Sequence, residues 1–315
     1  MVRCDVCGVS NAIILQRHTG RYLCSKCFID DVRSRILDEV RKYEMFRDND
    51  KLLLALSGGK DSFVLFDVIS SIHDVSRLGV ITVAEGIVGY SRDEDIIWIL
   101  SRCKELGIDC IKTSIKDELS YSLTEIVDLS NKLGVDVSPC TYCGMIRRRI
   151  INRYARELGY DKVLTAHNLD DEAQTALINI LRGDLSRLIQ SHPKGPKLSP
   201  LFIRRVKPLR KIYEWECALY AYLKGFKFQE VECPYITTRP TLRAKVREYL
   251  YRLETVKPGT LLRFLNIIDD LVIKFLDSTS RLPDLPTCKI CGEPTAYNRS
   301  LCKTCELLTK VGVIR

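Results

Sequence analysis

The sequence predicts an α/β fold, a doubly wound, Rossmann-like parallel sheet flanked by a zinc-ribbon module at each end. Two observations carry this. Between Leu52 and Glu232, short apolar runs alternate with helical patterns, as strands and their covering helices do in such sheets. At the two ends, eight of the 14 cysteines fall into four Cys-x2-Cys pairs, a spacing that belongs to structural metal sites. The 315 residues suit about two domains with appendages. We expect an N-terminal zinc finger at 1–30, a linking helix at 31–50, a catalytic domain at 51–282 and a C-terminal zinc finger at 283–315.

The totals narrow the function class. Hydrophobic content of 46% supports a sizeable core, and 28% charged residues is ordinary for a soluble chain. No apolar stretch approaches the ~20 residues needed to span a bilayer, and Met1-Val2-Arg3-Cys4-Asp5 lacks the apolar region of a signal peptide. A cytoplasmic protein without a membrane partner is expected. The net charge of +9 is compatible with a polyanionic partner. Glutamine is scarce (Gln16, Gln174, Gln190 and Gln229) beside many charged residues, which leans toward a thermophilic source.

Taken in order, Cys4, Cys7, Cys24 and Cys27 come first, with sixteen residues between the two pairs. That spacing reads as a tetrahedral thiolate zinc site. A helical pattern over Asp30 to Phe46 joins this module to the core. The run Leu52-Leu53-Leu54-Ala55-Leu56 is unbroken and apolar, the mark of a parallel strand buried on both faces. Ser57-Gly58-Gly59-Lys60-Asp61-Ser62 follows and opens a helix predicted at about 62–73. Two glycines let the backbone turn and expose its N–H groups where a helix begins, which is a ready phosphate site. Lys60 adds a charge and the serines add donors. The loop is shorter than GxxxxGK[ST], and the bland alternative is a mere Gly/Ser turn.

Beyond it we expect a strand at 80–84 ending at Glu85-Gly86-Ile87, a helix at about 93–106, a strand at 108–115 and a helix at about 117–133. Pro139-Cys140-Thr141-Tyr142-Cys143-Gly144 stands before a helix predicted at 146–158. A thiol at a helix N-terminus has its thiolate favoured. Arg147, four residues beyond Cys143, shares that face, and Arg148 and Arg149 extend a basic patch. A strand at 161–166 ends at His167-Asn168-Leu169-Asp170-Asp171-Glu172, which faces the ligand crevice of such a sheet. Residues 183–200 read as a loop, followed by a strand at about 202–206, a helix at about 213–224 and a strand at about 226–232 ending near Cys233. Helices at about 239–255 and 258–277 precede a Pro-punctuated linker at 283–286. The chain closes on Cys288, Cys291, Cys302 and Cys305, a second zinc tetrad. The basic residues from Arg239 to Arg252 read as a solvated helix face or a nucleic-acid phosphate contact. Cys103, Cys110 and Cys217 read as small buried hydrophobes.

Cys140, Cys143 and Cys233 converge near the loop if the sheet is parallel there. Spacing alone leaves open zinc with a non-cysteine fourth ligand, a Cys140–Cys143 redox pair with Cys233 inert, and an iron–sulfur cluster with one exposed iron.

SGGKDS resembles the PP-loop of the ATP-pyrophosphatase superfamily, whose members cleave between the α- and β-phosphates of ATP. With the PCxxCG turn, HNLDDEAQT, ECPY and a paired-CxxC module at each end, essentially the whole chain resembles the TtuA-type tRNA 2-thiouridine synthetases. The resemblance implies ATP, Mg2+, two Zn2+ at the end tetrads, and a [4Fe–4S] cluster on Cys140, Cys143 and Cys233. It places Arg147 near the nucleotide and makes Asp171 an acidic residue of catalysis, beside Lys60 and Asp61 of the loop. The pyrophosphate is expected along Ser57, Gly58, Gly59, Lys60, Asp61 and Ser62, and adenine near Ala55, Gly86, Ala166 and His167. The expected reaction adenylates O2 of a tRNA uridine, in the T-loop, before sulfur enters at C2. The expected partners are tRNA and a ubiquitin-like thiocarboxylate carrier or inorganic sulfide, and a homodimer is expected. The rival readings are wobble-uridine 2-thiolation, a cluster-free persulfide relay, and a zinc-ribbon tRNA-binding adaptor.

Overall fold

The computed structural model describes residues 2–90, 92–228, 233–235, 242–277 and 285–314. Its centre is a five-stranded sheet of β3 (Leu52–Ala55), β4 (Leu78–Ala84), β5 (Asp109–Ser114), β6 (Lys162–Thr165) and β7 (Arg204–Val206). The spatial order is β5-β4-β3-β6-β7, and all four pairings are parallel. The chain runs outward from β3 to β4 and β5, then crosses back to β6 on the other side of β3. The order therefore reverses between β3 and β6, and ligands of open α/β sheets bind beyond the strand ends at such a point. In register there, Ala55 pairs with Thr165.

The apolar run of β3 works because it is covered on both faces. Leu52 and Leu54 enter one core with Phe63, Phe66 and Tyr220, while Leu53 enters another with Ile126, Ile146 and Ile150. Alternate side chains leave a strand on opposite faces. Helices α1 (Ser25–Lys42), α2 (Lys60–Ser70), α3 (Asp93–Leu106) and α9 (Glu214–Leu223) belong to the first layer. Helices α5 (Leu123–Lys132) and α6 (Pro139–Glu157) belong to the second. Helices α7 (Leu169–Leu181), α10 (Leu242–Val256) and α11 (Thr260–Asp277) share a smaller core around Leu169, Ala173, Val246 and Leu265.

Several elements differ from the sequence reading. The helix expected at 117–133 is two, α4 (Ile115–Leu119) and α5, broken where Ser120 takes a left-handed φ of 63°. Ser122 then restarts the helix with a capping box to Glu125. The helix expected from Ile146 begins at Pro139, since proline at the first position loses no helical hydrogen bond. The cysteine turn is thus the first turn of α6. Helix α7 was not foreseen, and α8 (Leu185–Ser191) occupies part of the expected loop. Residues 226–228 are irregular rather than strand; positions 229–232, Arg239 and the linker positions 283–284 lie outside the described residues.

The end modules are seated on the sheet layers. A hairpin of β1 (Ile14–Gln16) and β2 (Arg21–Leu23) precedes α1. There Gln16 Nε2 donates to Asp31 (2.9 Å) and to the buried Glu216 of α9 (3.0 Å), which Arg35 also grips. At the other end α12 (Lys303–Lys310) lays Leu307 and Leu308 into the core beside Ile146 and Ile150 of α6. Glu293 takes an ion pair from Arg156 (2.6 Å) and a hydrogen bond from Asn152 (3.1 Å), both on α6. Among the described residues no helix is long and apolar enough to cross a membrane.

Candidate functional site

The loop after β3 turns at Gly58, whose φ of +86° lies in the left-handed region that only glycine enters cheaply. Gly59 is the N-cap of α2 and offers no side-chain cap, so the first N–H groups of the helix remain available to an anion. Ser62 Oγ accepts from Ser57 N at 2.9 Å and lies 3.2 Å from Ser57 Oγ, closing the loop on itself. Lys60 Nζ sits 3.0 Å from Glu214 and 3.4 Å from Asp61. These two carboxylates raise its pKa against the opposing effect of burial, which is the largest influence. Lys60 is therefore a fixed cation.

Across the β3/β6 switch, Asn168 caps α7 and forms a reciprocal capping box with Asp171. Its Nδ2 reaches Asp61 Oδ1 at 3.3 Å, tying the two strand-end loops together. Asp171 thus already has a structural task, and its carboxylate faces Arg243 Nη1 at 4.0 Å. Asp170 accepts from Glu214 N at 2.8 Å; burial, then Glu214 and Asp171, push its pKa up to about 6. His167 is exposed, with Nδ1 2.9 Å from Thr165 Oγ1. Ala55 and Ala166 are half-buried at the ends of β3 and β6. At Gly86 beyond β4, a Cβ would stand 2.8 Å from that of Ser122.

Three cysteines gather beside this crevice. Cys140 is exposed, and Cys143 and Cys233 are half-buried. Each is close enough to feel the next: Cys233 raises Cys140 and Cys140 raises Cys143, although burial is the largest cause in both. Burial pushes Cys143 up to about 11, against a hydrogen bond from Arg147. Arg147 in turn pairs with Glu85, just beyond β4, at 2.8 Å, so it links the cysteine turn to a strand end. Arg149 does not extend a basic patch here, since its Nη1 points to Cys305 Sγ at 3.8 Å. Arg243 and Arg247 are exposed on α10, as a solvated face requires, and both also reach neighbouring elements. Arg243 donates to Gln174 (3.1 Å) and Thr175 (2.9 Å) of α7, and Arg247 pairs with Glu214 at 3.5 Å.

The sulfurs of Cys4, Cys7, Cys24 and Cys27 all lie within 4.8 Å of one another, as do those of Cys288, Cys291, Cys302 and Cys305. Cys24 and Cys302 stand at the N-cap positions of α1 and α12, and Cys302 Sγ accepts from Cys305 N at 3.4 Å.

A PP-loop domain profile matches residues 31–250, and a profile described as "2-thiouridine synthetase TtuA, N-terminal LIM domain" matches residues 3–29. Over 314 residues the chain is 33% identical to "Probable sulfurtransferase" of Methanocaldococcus jannaschii, covering 98% of this chain and 88% of that one. It is 32% identical to "Cytoplasmic tRNA 2-thiolation protein 1" of Saccharomyces cerevisiae, covering 97% and 85%. The chain belongs to the PP-loop tRNA sulfurtransferases. Among solved structures it is similar to the U34-tRNA thiolase NcsA of Methanococcus maripaludis with its [4Fe–4S] cluster. That match has a TM-score of 0.79, 31% identity, and coverage of 100% of this chain and 98% of that one. The full-length relatives are thus of the NcsA kind, and the narrower TtuA-type assignment rests only on the N-terminal profile.

The donor sets fit the metals such a sulfurtransferase implies. Each end tetrad offers four thiols gathered as tightly as one tetrahedral ion requires. Among the described residues the Cys140, Cys143 and Cys233 sulfurs are not gathered within that same 4.8 Å. Three thiols without a fourth are the donor number of a cluster that keeps one iron free of cysteine.

Sequence reasoning missed Arg92 and Glu214. A Cβ on Gly59 would meet Arg92 Nη1 at 2.8 Å, so the guanidinium lies directly over the uncapped helix start. Tyr90 OH accepts from Arg92 Nε at 2.7 Å and orients it. The one available signal was a single arginine before the acidic run Asp93-Glu94-Asp95. Glu214 carried none.

Proposed function

We propose that this sulfurtransferase adenylates O2 of a tRNA wobble uridine with ATP, releases pyrophosphate, and then replaces the activated oxygen at C2 by sulfur. The observation that carries this reading is the single crevice at the β3/β6 switch. It joins an uncapped helix start under Arg92 and Lys60 to the Cys140–Cys143 turn through Arg147 and Glu85. Phosphate oxygens would take the free N–H groups from Gly59 onward and the Lys60 and Arg92 charges, which neutralise the leaving pyrophosphate. Asp61 and Asp171 would supply the carboxylates for Mg2+. Adenine would rest against the strand ends at Ala55, Gly86, Ala166 and His167.

Cys140, Cys143 and Cys233 would hold the [4Fe–4S] cluster, which supplies an iron not bound by cysteine for sulfur delivery. Arg147 opposes the burial that raises the Cys143 thiol. The end tetrads would each hold zinc and stabilise the segments 1–30 and 283–315 against the catalytic domain at 51–282, with 31–50 as the link. A thiocarboxylate carrier or free sulfide as donor, a homodimer and a cytoplasmic setting complete the reading.

The wobble position is favoured over the T-loop because a solved relative matched over 98% of its length is a U34-tRNA thiolase. Incubating the anaerobic holoenzyme with ATP, sulfide and tRNA tests both levels. One pyrophosphate should appear per 2-thiouridine, and nuclease mapping should place that base in the anticodon. Thiolation confined to the T-loop would overturn the position, and release of orthophosphate would overturn the adenylation.

A further inference from the structure

Three cysteines lie outside the metal-ligand sets: Cys103, Cys110 and Cys217. Two of them meet. Cys103 Sγ, near the end of α3, is 3.0 Å from Cys110 Sγ on β5. Sulfurs elsewhere in this protein that are gathered into metal tetrads stand farther apart, 3.9 Å for Cys7 and Cys24 and 3.7 Å for Cys291 and Cys302. The Cys103–Cys110 separation is roughly 1 Å longer than a disulfide bond.

The backbone builds this approach. Helix α3 ends at Gly107 with φ +70°. Gly107 N donates to Lys104 O at 3.3 Å and Ile108 N to Cys103 O at 2.9 Å, the paired bonds of a Schellman close. The chain then enters β5 in register with β4, Asp109 opposite Gly79 and Cys110 opposite Val80. Both cysteines belong to one apolar core that also contains Ile99 and Ile108.

We propose that Cys103 and Cys110 form a disulfide that staples helix α3 to the edge strand β5. The oxidant is a low-molecular-weight or protein disulfide. The Cys110 thiolate attacks one of its sulfurs, forms a mixed disulfide and displaces the first thiolate. The Cys103 thiolate then attacks the Cys110 sulfur and displaces the second. The two displaced thiolates take up the two protons lost by the cysteines, and the oxidant gains two electrons. Cys110 is the half-buried partner and Cys103 the buried one, so entry is at Cys110. A hydrogen bond with Cys103 also lowers the Cys110 pKa.

The staple bears on the phosphate site from behind. The N-terminal end of the same helix packs on the loop: a Cβ on Gly58 would stand 2.9 Å from Asp95 Cβ, and Arg92 covers Gly59. Fixing the far end of α3 to β5 fixes the helix that carries the Asp95 contact.

The test uses the full-length holoprotein prepared anaerobically, incubated with glutathione disulfide, then denatured in iodoacetamide without reductant and digested with trypsin. Cleavage after Arg102, Lys104 and Lys112 leaves Cys103–Lys104 and Glu105–Lys112. These should appear as one cross-linked species that separates on reduction. Recovery of both peptides separately alkylated would overturn the proposal. Reduction should also lower the melting temperature of the wild type by roughly 5 °C, a shift that Cys110→Ser should lack. A wild-type melting temperature that ignores the reductant would overturn it as well. The peptide readout needs no variant, so a poorly folding substitution does not obscure the answer. Neither readout depends on the nucleotide or tRNA chemistry.

Discussion

Replacing Gly59 by alanine should separate the phosphate role of Arg92 from the integrity of the fold. Gly59 has φ −76° and ψ 169°, a conformation any residue adopts, so the backbone tolerates the change. Losing glycine at an N-cap costs at most about 1 kcal/mol, small against a domain stability of ~5–15 kcal/mol. The new Cβ would, however, lie 2.8 Å from Arg92 Nη1. That atom ends a flexible side chain, and it is the partner that must move. If the guanidinium holds a phosphate, displacing it removes one charged hydrogen bond worth about 1.5–3 kcal/mol. At ~1.4 kcal/mol per tenfold, tRNA-dependent pyrophosphate release should fall roughly ten- to hundredfold in kcat/KM. Gly58→Ala is the contrasting variant. With φ +86° and a Cβ 2.9 Å from that of Asp95, it should lose roughly 1–2 kcal/mol of stability to backbone strain alone. Turnover by Gly59→Ala close to wild type, with unchanged melting, would refute the phosphate role of Arg92.

Lys60→Ala should abolish pyrophosphate release while leaving zinc content and the melting temperature nearly unchanged, both read on the same preparation. Cys4→Ser and Cys288→Ser should each remove one zinc per chain by elemental analysis while ATP binding persists; iron in the end tetrads would contradict the assignment. Cys140→Ala, Cys143→Ala and Cys233→Ala should each lose visible cluster absorbance together with thiolation, and full 2-thiouridine formation by an iron-free enzyme in air would favour the persulfide relay. Asp170 predicts a pH effect. Its folded pKa of about 6 lies above the ordinary 3.8, so the folded state keeps a proton that the unfolded chain releases. Its contribution is present below about pH 4 and is lost as pH rises through 6, by about 3 kcal/mol at 1.36 kcal/mol per unit. Asp170→Asn keeps an acceptor for Glu214 N and should flatten that decline in urea unfolding without nucleotide or Mg2+.

How much was legible follows from how local each signal is. The strand, loop and helix around Ser57–Ser62 are contiguous, and the end tetrads are fixed by Cys-x2-Cys spacing, so both could be read directly. Helix α7 escaped because the strand before it ends in a motif that reads as ligand-facing, and the same Asn168 and Asp171 also form a capping box. The break at Ser120 escaped because a left-handed serine has no sequence signature. Arg92, Glu214 and Arg243 reach the crevice from three elements far apart in sequence, and no motif marks them as partners in one site. Cys103 and Cys110 read as small hydrophobes because their proximity is made by a helix end and a strand start together.

The seating of the two end modules shows why polar contacts, rather than apolar area alone, hold them. Apolar surfaces such as Leu307 and Leu308 against Ile146 and Ile150 give adhesion without a unique register. Glu216 is fully buried yet receives Gln16 from the N-terminal hairpin and Arg35 from α1, and Glu293 receives Arg156 and Asn152 from α6. Burying such carboxylates is costly unless each partner arrives in place, so a shifted module leaves a charge unpaired. At the C-terminal end the consequence is directional. Helix α6 carries Cys140 and Cys143 in its first turn and takes Glu293 at Asn152 and Arg156, several turns further along. One rigid helix therefore fixes the C-terminal tetrad and the Cys140–Cys143 turn to the same frame.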